Sequence, residues 1–156
     1  MKCAPPVLNS PSTCSNGAVR RASRRMAQIY DEAFVPFGLK ATQYSLLNHI
    51  ANGDGPKMRD LAQSLVMDLS ALGHTLKPLV RDGLVVLQVD ELDRRSRRVL
   101  LTEAGLRKYE DARVVSRQMA VRFDEVFGAQ AACELRKAMD FIASDEFARA
   151  LLGKGG

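Results

Sequence analysis

The stretch MRDLAQSLVMDLSALGHTLKPLVRDGL, residues 58–84, decides the architecture. It holds two helical patterns, and Val66 and Met67 between them interrupt the period, so it reads as two short helices meeting at a tight corner. Asp68 is placed to cap the second helix, because its short carboxylate accepts the orphan amides of the first turn and suits the positive end of the dipole. Gly83 is the matching C-terminal stop. Beyond it, LVVLQVD (84–90) and RRVLLT (97–102) are two short runs rich in Val and Leu, joined by a charged loop, which is the pattern of a β-hairpin.

Upstream, residues 1–17 are rich in Pro, Ser and Asn, show no apolar period and read as a flexible arm. Between Ala18 and Phe34, Ala22, Met26, Ile29 and Ala33 recur at steps of three and four, while Arg20, Arg21, Arg24 and Arg25 form two rows elsewhere on the same helix. A second helix over 41–51 turns Tyr44, Leu47 and Ile50 inward before NGDGP (52–56) breaks the chain. Downstream, Thr102 and Glu103 open a long helix to about Phe127, with Leu106, Tyr109, Ala112, Met119, Phe123 and Val126 along one stripe. A last helix follows Gly128, carries Ala132, Leu135, Met139 and Ile142, and ends near Ser144. The expected fold is mainly α, an α+β chain with a single domain over 18–156. Its helical corner followed by a two-stranded ribbon makes a winged helix-turn-helix at about 40–101.

A chain of 156 residues that is 46% apolar and 26% charged buries roughly 70% of its unfolded surface in one core. The net charge of +5 and pI near 9.4 favour anionic partners, nucleic acid or an acidic membrane surface. No stretch approaches the ~20 apolar residues of a membrane span, and residues 1–17 lack the apolar core of a signal peptide, so a cytoplasmic location away from membranes is expected. Cys3, Cys14 and Cys133 form no CxxC pair, which points to reduced thiols and to no bound metal or cofactor. His49 and His74 are the only histidines, and no HExxH, GxSxG, GxGxxG or P-loop pattern occurs, which argues against an enzyme.

On a helical wheel of residues 68–83, Leu72, Leu76, Leu79 and Val80 fall on one side and Ser70, His74, Lys77 and Arg81 on the other. Ser70 and His74 lie near the N-terminal end, where a groove-docked helix meets base edges, with Lys77 and Arg81 nearer phosphates. Gly73 costs about 1 kcal/mol relative to Ala in a helix interior, which suits a place where a backbone or ligand approaches closely, and Pro78 is expected to loosen the helix. In DRRSRR (93–98), Arg94, Arg95, Arg97 and Arg98 repel one another unless a polyanion neutralises them, and arginine suits phosphates and narrow minor grooves. Asp93 is expected to hold one of these arginines in a carboxylate–guanidinium pair, supporting the wing. An ordinary amphipathic surface helix and a solvated charged turn are the alternative readings.

Three segments, GLKATQYSLLNHIA (38–51), the corner itself and DELDRRSRRVLLTEAG (90–105), together resemble the multiple antibiotic resistance regulator (MarR) family of dimeric winged-helix transcription factors. The last segment is similar to the family's wing signature of acidic residues, Asp-Arg-Arg, a β run and Leu-Thr-x-x-Gly, and the resemblance runs from about Ala18 to Phe127. It implies a homodimer in which helices at about 18–35 and 102–152 interlock and two recognition helices face successive major grooves of a palindromic double-stranded operator. Carried over by position, it makes residues 69–77 the base-reading segment, with Ser70, Ala71 and His74 foremost, and Arg95 the arginine that enters the minor groove. Leu69, Gly73 and His74 depart from the hydroxyl or arginine residues frequent in the family, so no operator sequence carries over.

The resemblance further implies a repressor released by a small aromatic acid or phenol, with Tyr30, Phe34 and Tyr44 as candidate lining; aromatic residues at helical spacing are more often core than pocket. One branch of the family senses peroxide through a cysteine near the first helix, which makes Cys14, close to Arg20 and Arg21, a candidate thiol. The spacing from Cys14 to Tyr30 and the SNG at 15–17 depart from that branch. The rival of another class is an architectural protein that binds any duplex with similar affinity.

Overall fold

The computed structural model describes residues 14–153. Helix α1 (Ser15–Ala33) begins before the expected Ala18, because Cys14 caps it by accepting the Gly17 amide at 3.4 Å. Ser15–Gly17 therefore belong to the helix, while the rest of the expected arm, residues 1–13 with Cys3, lies outside the described residues. A turn of 3₁₀ helix, Val35–Phe37, leads to α2 (Ala41–Asn52), whose first amide is held by Asp31 of α1 at 2.7 Å.

The corner joins α3 (Met58–Ser64) to α4 (Leu69–Arg81). Helix α3 ends in a left-handed cap in which Met67 donates to the Ala62 carbonyl at 2.9 Å and Val66 to that of Gln63 at 3.0 Å. Val66 carries φ +53°, a conformation that costs a side-chain-bearing residue about 1–2 kcal/mol. Asp68 then caps α4 by accepting the Ala71 amide at 2.7 Å, and α4 runs as one helix through Pro78. Its end is a second left-handed cap at Gly83, φ +69°, with Leu84 bonded back to Leu79 and Gly83 to Val80.

Strands β1 (Val85–Val89) and β2 (Arg97–Leu101) pair antiparallel from Val85↔Leu101 to Val89↔Arg97. The Val99 amide donates to the Pro56 carbonyl at 2.9 Å, so the segment before α3 lies against the ribbon like a fragment of a third strand. Thr102 caps α5 (Glu103–Phe127), and α6 (Ala129–Ile142) and α7 (Asp145–Leu151) follow. The last of these is a separate helix, started by the Ser144 hydroxyl accepting the Phe147 amide.

The core lies within the winged helix. Leu47, Ile50, Leu61, Leu72, Leu76, Leu79 and Val99 are all fully buried, each such side chain contributing about 1.5–3 kcal/mol of transfer free energy. Helix α5 is fixed to this lobe by contact so close that a Cβ on Gly105 would lie 1.9 Å from the Leu84 carbonyl oxygen, and by the Tyr109 hydroxyl donating to Asn48 at 3.1 Å.

The apolar stripes read in the terminal helices are buried by the chain only in part, at Tyr109, Ala112 and Ala132. No α1 residue is fully buried, and Leu106, Val126, Met139 and Ile142 are exposed, Val126 to 82%. Periodicity marks the face that seeks cover, and the described residues cover only part of it. No helix of the described residues is long and apolar enough to cross a membrane.

Candidate nucleic-acid interface

Helix α4 buries Leu72, Leu76 and Leu79 and leaves Ser70, His74, Lys77 and Arg81 exposed, so the helical wheel and the structure agree on its outer face. Ala71 is half-buried, and its carbonyl accepts the Thr75 hydroxyl at 2.9 Å. Lys77 lies 3.4 Å from His74 Nδ1; where the lysine donates, the ring nitrogen accepts and Nε2–H is left as a donor. Arg81 is engaged by Asp82 at 2.8 Å, a hydrogen bond that raises the guanidinium pKa and lowers that of the carboxyl. Its charge is thus partly answered within the chain.

The wing is organised by a residue the sequence reading passed over. Asp90 is 1% exposed, and its Oδ1 accepts the Leu92 and Asp93 amides at 3.1 and 2.9 Å, while Oδ2 accepts Arg98 Nε at 2.7 Å. Lys57 Nζ stands 3.5 Å away. The Arg98 hydrogen bond above all, then the amide of Asp93, the charge of Lys57 and the amide of Leu92, hold the Asp90 carboxyl below the usual carboxylate range against the opposing effect of desolvation. Arg98 also donates to the Gly55 carbonyl at 2.9 Å. The carboxylate–guanidinium pair expected at Asp93 is therefore Asp90–Arg98, because strand pairing turns Asp90 inward at the hairpin's base; Asp93 instead accepts the backbone amide of Arg95 at 3.1 Å and shapes the tip. Of the four arginines, Arg94, Arg95 and Arg97 remain exposed and Arg98 is committed to the anchor.

Between the wing, the start of α3 and the start of α4 lies a cleft of about 660 Å³. Arg95 and Arg97 line one wall, Lys57 and Arg59 the other, with Leu69 at one edge and Asp60 and Asp93 among them. Lys57 and Arg59 were not singled out from sequence. Their signal was faint: two cations at the start of the first corner helix, nearly forty residues from the wing that the fold brings beside them.

The proposed ligand aromatics separate. Phe34 and Tyr44 are core residues, stacked at 4.5 Å between ring centroids, with Tyr44 continuing to Tyr109 at 6.0 Å. Only Tyr30 lines a cavity, of about 400 Å³, between α1, α2, the corner and α4. Burial raises the Tyr30 phenol pKa above its ordinary value, with a smaller contribution from Tyr44. Cys14 is exposed at the start of α1, and Cys133 is half-buried on α6. Among the described residues no group of three or more His, Cys, Asp or Glu side chains is arranged to hold a metal ion.

The sequence profile of the MarR family matches residues 37–96, the segment from the 3₁₀ turn to the wing tip. No protein of curated function matches the chain in sequence. Among solved structures, the M. tuberculosis transcriptional regulator MosR in complex with DNA is similar at 28% identity and TM-score 0.77, over 88% of this chain and 98% of that one. The repressor CouR bound to a 23-mer DNA duplex aligns at 22% identity and TM-score 0.76, over 90% and 100% of the two chains. NadR in complex with 4-hydroxyphenylacetate aligns at 19% identity and TM-score 0.74, over 91% and 99%. The last two likenesses are of fold.

Proposed function

We propose that the chain is a winged-helix transcriptional regulator of the MarR family, whose profile matches residues 37–96, and that it acts in the cytoplasm as a homodimeric, sequence-specific repressor that leaves its operator when a small aromatic ligand binds. The observation that carries the DNA-binding reading is the cationic cleft: Lys57, Arg59, Arg95 and Arg97 line one space, and the exposed stripe of α4 continues from it. The four cations outnumber the two carboxylates of the cleft, Asp60 and Asp93, and although Asp90 shares Lys57 the space keeps a positive excess that favours a polyanion. In this reading Ser70, Ala71 and His74 meet base edges, Arg95 enters the minor groove, and Lys77, Arg81, Arg94 and Arg97 hold phosphates, Arg81 more weakly because Asp82 shares it. Asp93 and Asp90 shape the wing from its tip and its base.

A second copy of the chain is the natural cover for the exposed apolar residues of α1, α5, α6 and α7, since contiguous apolar surface at this scale marks an interface. Twofold symmetry then requires a palindromic site. The cavity beside Tyr30 supports a ligand-responsive regulator, because it lies between a helix of the expected dimer and the back of α4. NadR, of the same fold, is described with 4-hydroxyphenylacetate bound.

Selection of genomic fragments by the purified protein tests the reading. One palindrome should exceed random DNA by about 10³ or more. Arg95→Ala should weaken binding to every sequence and lower the salt slope by about 1, whereas His74→Ala should change base preference. If no fragment outcompetes random duplex, an architectural protein is the better description.

One observation favours a second signal. Cys14 Sγ is exposed at the N-cap of α1 and accepts the Gly17 amide, a position open to an oxidant. Operator release by an organic hydroperoxide should be lost in Cys14→Ser; equal release from both proteins removes Cys14 from the mechanism.

A further inference from the structure

Leu69 is the first residue of α4, at the end that a groove-docked helix turns toward base edges, and it is 49% exposed. Among the described residues two apolar side chains line the cationic cleft; Met58 packs against the core and Leu69 stands outside it. Neither capping nor core packing uses this leucine. The cap is the Asp68 carboxylate, and the inward row of α4 is Leu72, Leu76 and Leu79.

Gly73, one turn on, shares the face of Leu69. Helical side chains lean toward the N-terminus, so a side chain at 73 would lie over Leu69. Glycine leaves that flank bare, and a Cβ built there meets nothing within 4 Å. The result is an apolar side chain beside uncovered backbone, at the head of the helix and next to Lys57, Arg59, Arg95 and Arg97. Those four cations suit phosphates. Leucine neither donates nor accepts, so against a purine edge or the amino group of cytosine it displaces water and offers no replacement hydrogen bond. The apolar feature that the major groove presents is the 5-methyl group of thymine.

We propose that Leu69 and the bare backbone of Gly73 form an apolar notch that receives the 5-methyl group of one thymine in each operator half-site. The proposal rests on the DNA-binding reading above and adds a specificity-determining residue to it. Ser70 and His74 carry hydrogen-bonding groups, whereas Leu69 selects its base pair by leaving the polar edges of the others unpaired.

Replacement of thymine by uracil, one base pair at a time across the operator selected from genomic fragments, tests this with the full-length protein, because uracil keeps the pairing and lacks the methyl. At one symmetry-related pair of positions the change should weaken binding about fourfold per half-site, about fifteenfold for both. Leu69→Ala suits an exposed first turn and should fold, keep the wild-type salt slope, and bind the thymine and uracil duplexes within about twofold of each other. Gly73→Ala narrows the notch and should weaken the thymine duplex more than the uracil duplex. An operator at which no uracil weakens binding overturns the proposal and leaves a sequence-specific regulator standing. A thymine preference that survives Leu69→Ala, or an equal loss on both duplexes in Gly73→Ala, overturns the notch in the same way. If no fragment outcompetes random duplex, the DNA-binding reading and this proposal fall together.

Discussion

Gly73 lies on the outer half of α4, between Ser70 and His74 on one side and Lys77 on the other, and a Cβ built there meets nothing within 4 Å. Its backbone is ordinary helix. The substitution Gly73→Ala therefore carries no steric term in the free protein, and only the helix propensity difference remains, about 0.8–1.0 kcal/mol in favour of alanine. For a chain of this size that raises the melting temperature by about 2–4 °C. On DNA the sign reverses if the groove approaches this face as proposed, because the added methyl occupies the space a base edge or sugar would use; overpacking of one methyl costs about 1–3 kcal/mol, an affinity loss of roughly five- to a hundredfold. Differential scanning calorimetry and operator titration on the same preparation read the two effects. A lower melting temperature would show that the open space is wrong. A higher one with unchanged DNA affinity would show that the face does not enter the groove and that Gly73 is an accident of sequence.

Gly105→Ala should act in the opposite sense: the new Cβ lies 1.9 Å from the Leu84 carbonyl oxygen, backbone that cannot rotate away, so a loss of about 3 kcal/mol or more is expected in urea unfolding, and a loss under about 1 kcal/mol refutes the contact. Val66→Gly removes the strained φ of +53° at the corner and should stabilise by about 0.5–1 kcal/mol once the entropy of glycine is deducted; a destabilised variant would mean that Val66 is held by contacts outweighing its strain. Asp90→Asn should leave global unfolding cooperative while speeding amide exchange at Leu92 and Asp93, and unchanged exchange there would refute the anchor. Because hydrogen bonding to Arg98 lowers the Asp90 pKa in the folded protein, its contribution is present above the ordinary carboxylate value of about 3.9 and is lost as pH falls through the lower folded value, so the wild-type wing should stay protected at about pH 5 and open only in stronger acid.

Local chemistry made much of the fold legible. Asp68, Thr102 and Gly83 punctuate helices by hydrogen bonds that span three to five residues, and the structure places those bonds where the spacing puts them. What failed to show in sequence depends on distant pairing. Asp90 and Asp93 stand in one acidic run, and only the hairpin register, with Pro56 and Lys57 packed against β2, turns the first inward and leaves the second at the tip. Lys57 and Arg59 join the wing arginines across a cleft that no local window contains. Phe34, Tyr44 and Tyr30 share one aromatic pattern, yet two are core and one faces a cavity, because periodicity reports which side of a helix is apolar and not whether that side is filled. For the same reason the stripe of α5 was visible while its division into a buried start, at Tyr109 and Ala112, and an exposed end, at Val126, was not.

The placement of the caps bears on how a signal travels. Helix α4 is bounded by two residues in the left-handed region, Val66 just before it and Gly83 just after, so it is a rigid segment between two sharp reversals of the backbone. Leu65 and Met67, on either side of the first reversal, line the cavity together with Thr75 on the helix itself. A ligand in that space, as proposed, would press on the helix and on its pivot at once. The wing takes its support elsewhere: Asp90, Arg98 and Lys57 tie it to the segment before α3, and Arg98 reaches back to Gly55. The base reading proposed for α4 and the phosphate holding proposed for the wing thus rest on separate fixings. A displaced α4 therefore costs sequence preference first and general affinity for duplex second, which is the order in which a regulator can abandon its operator while still sliding along DNA.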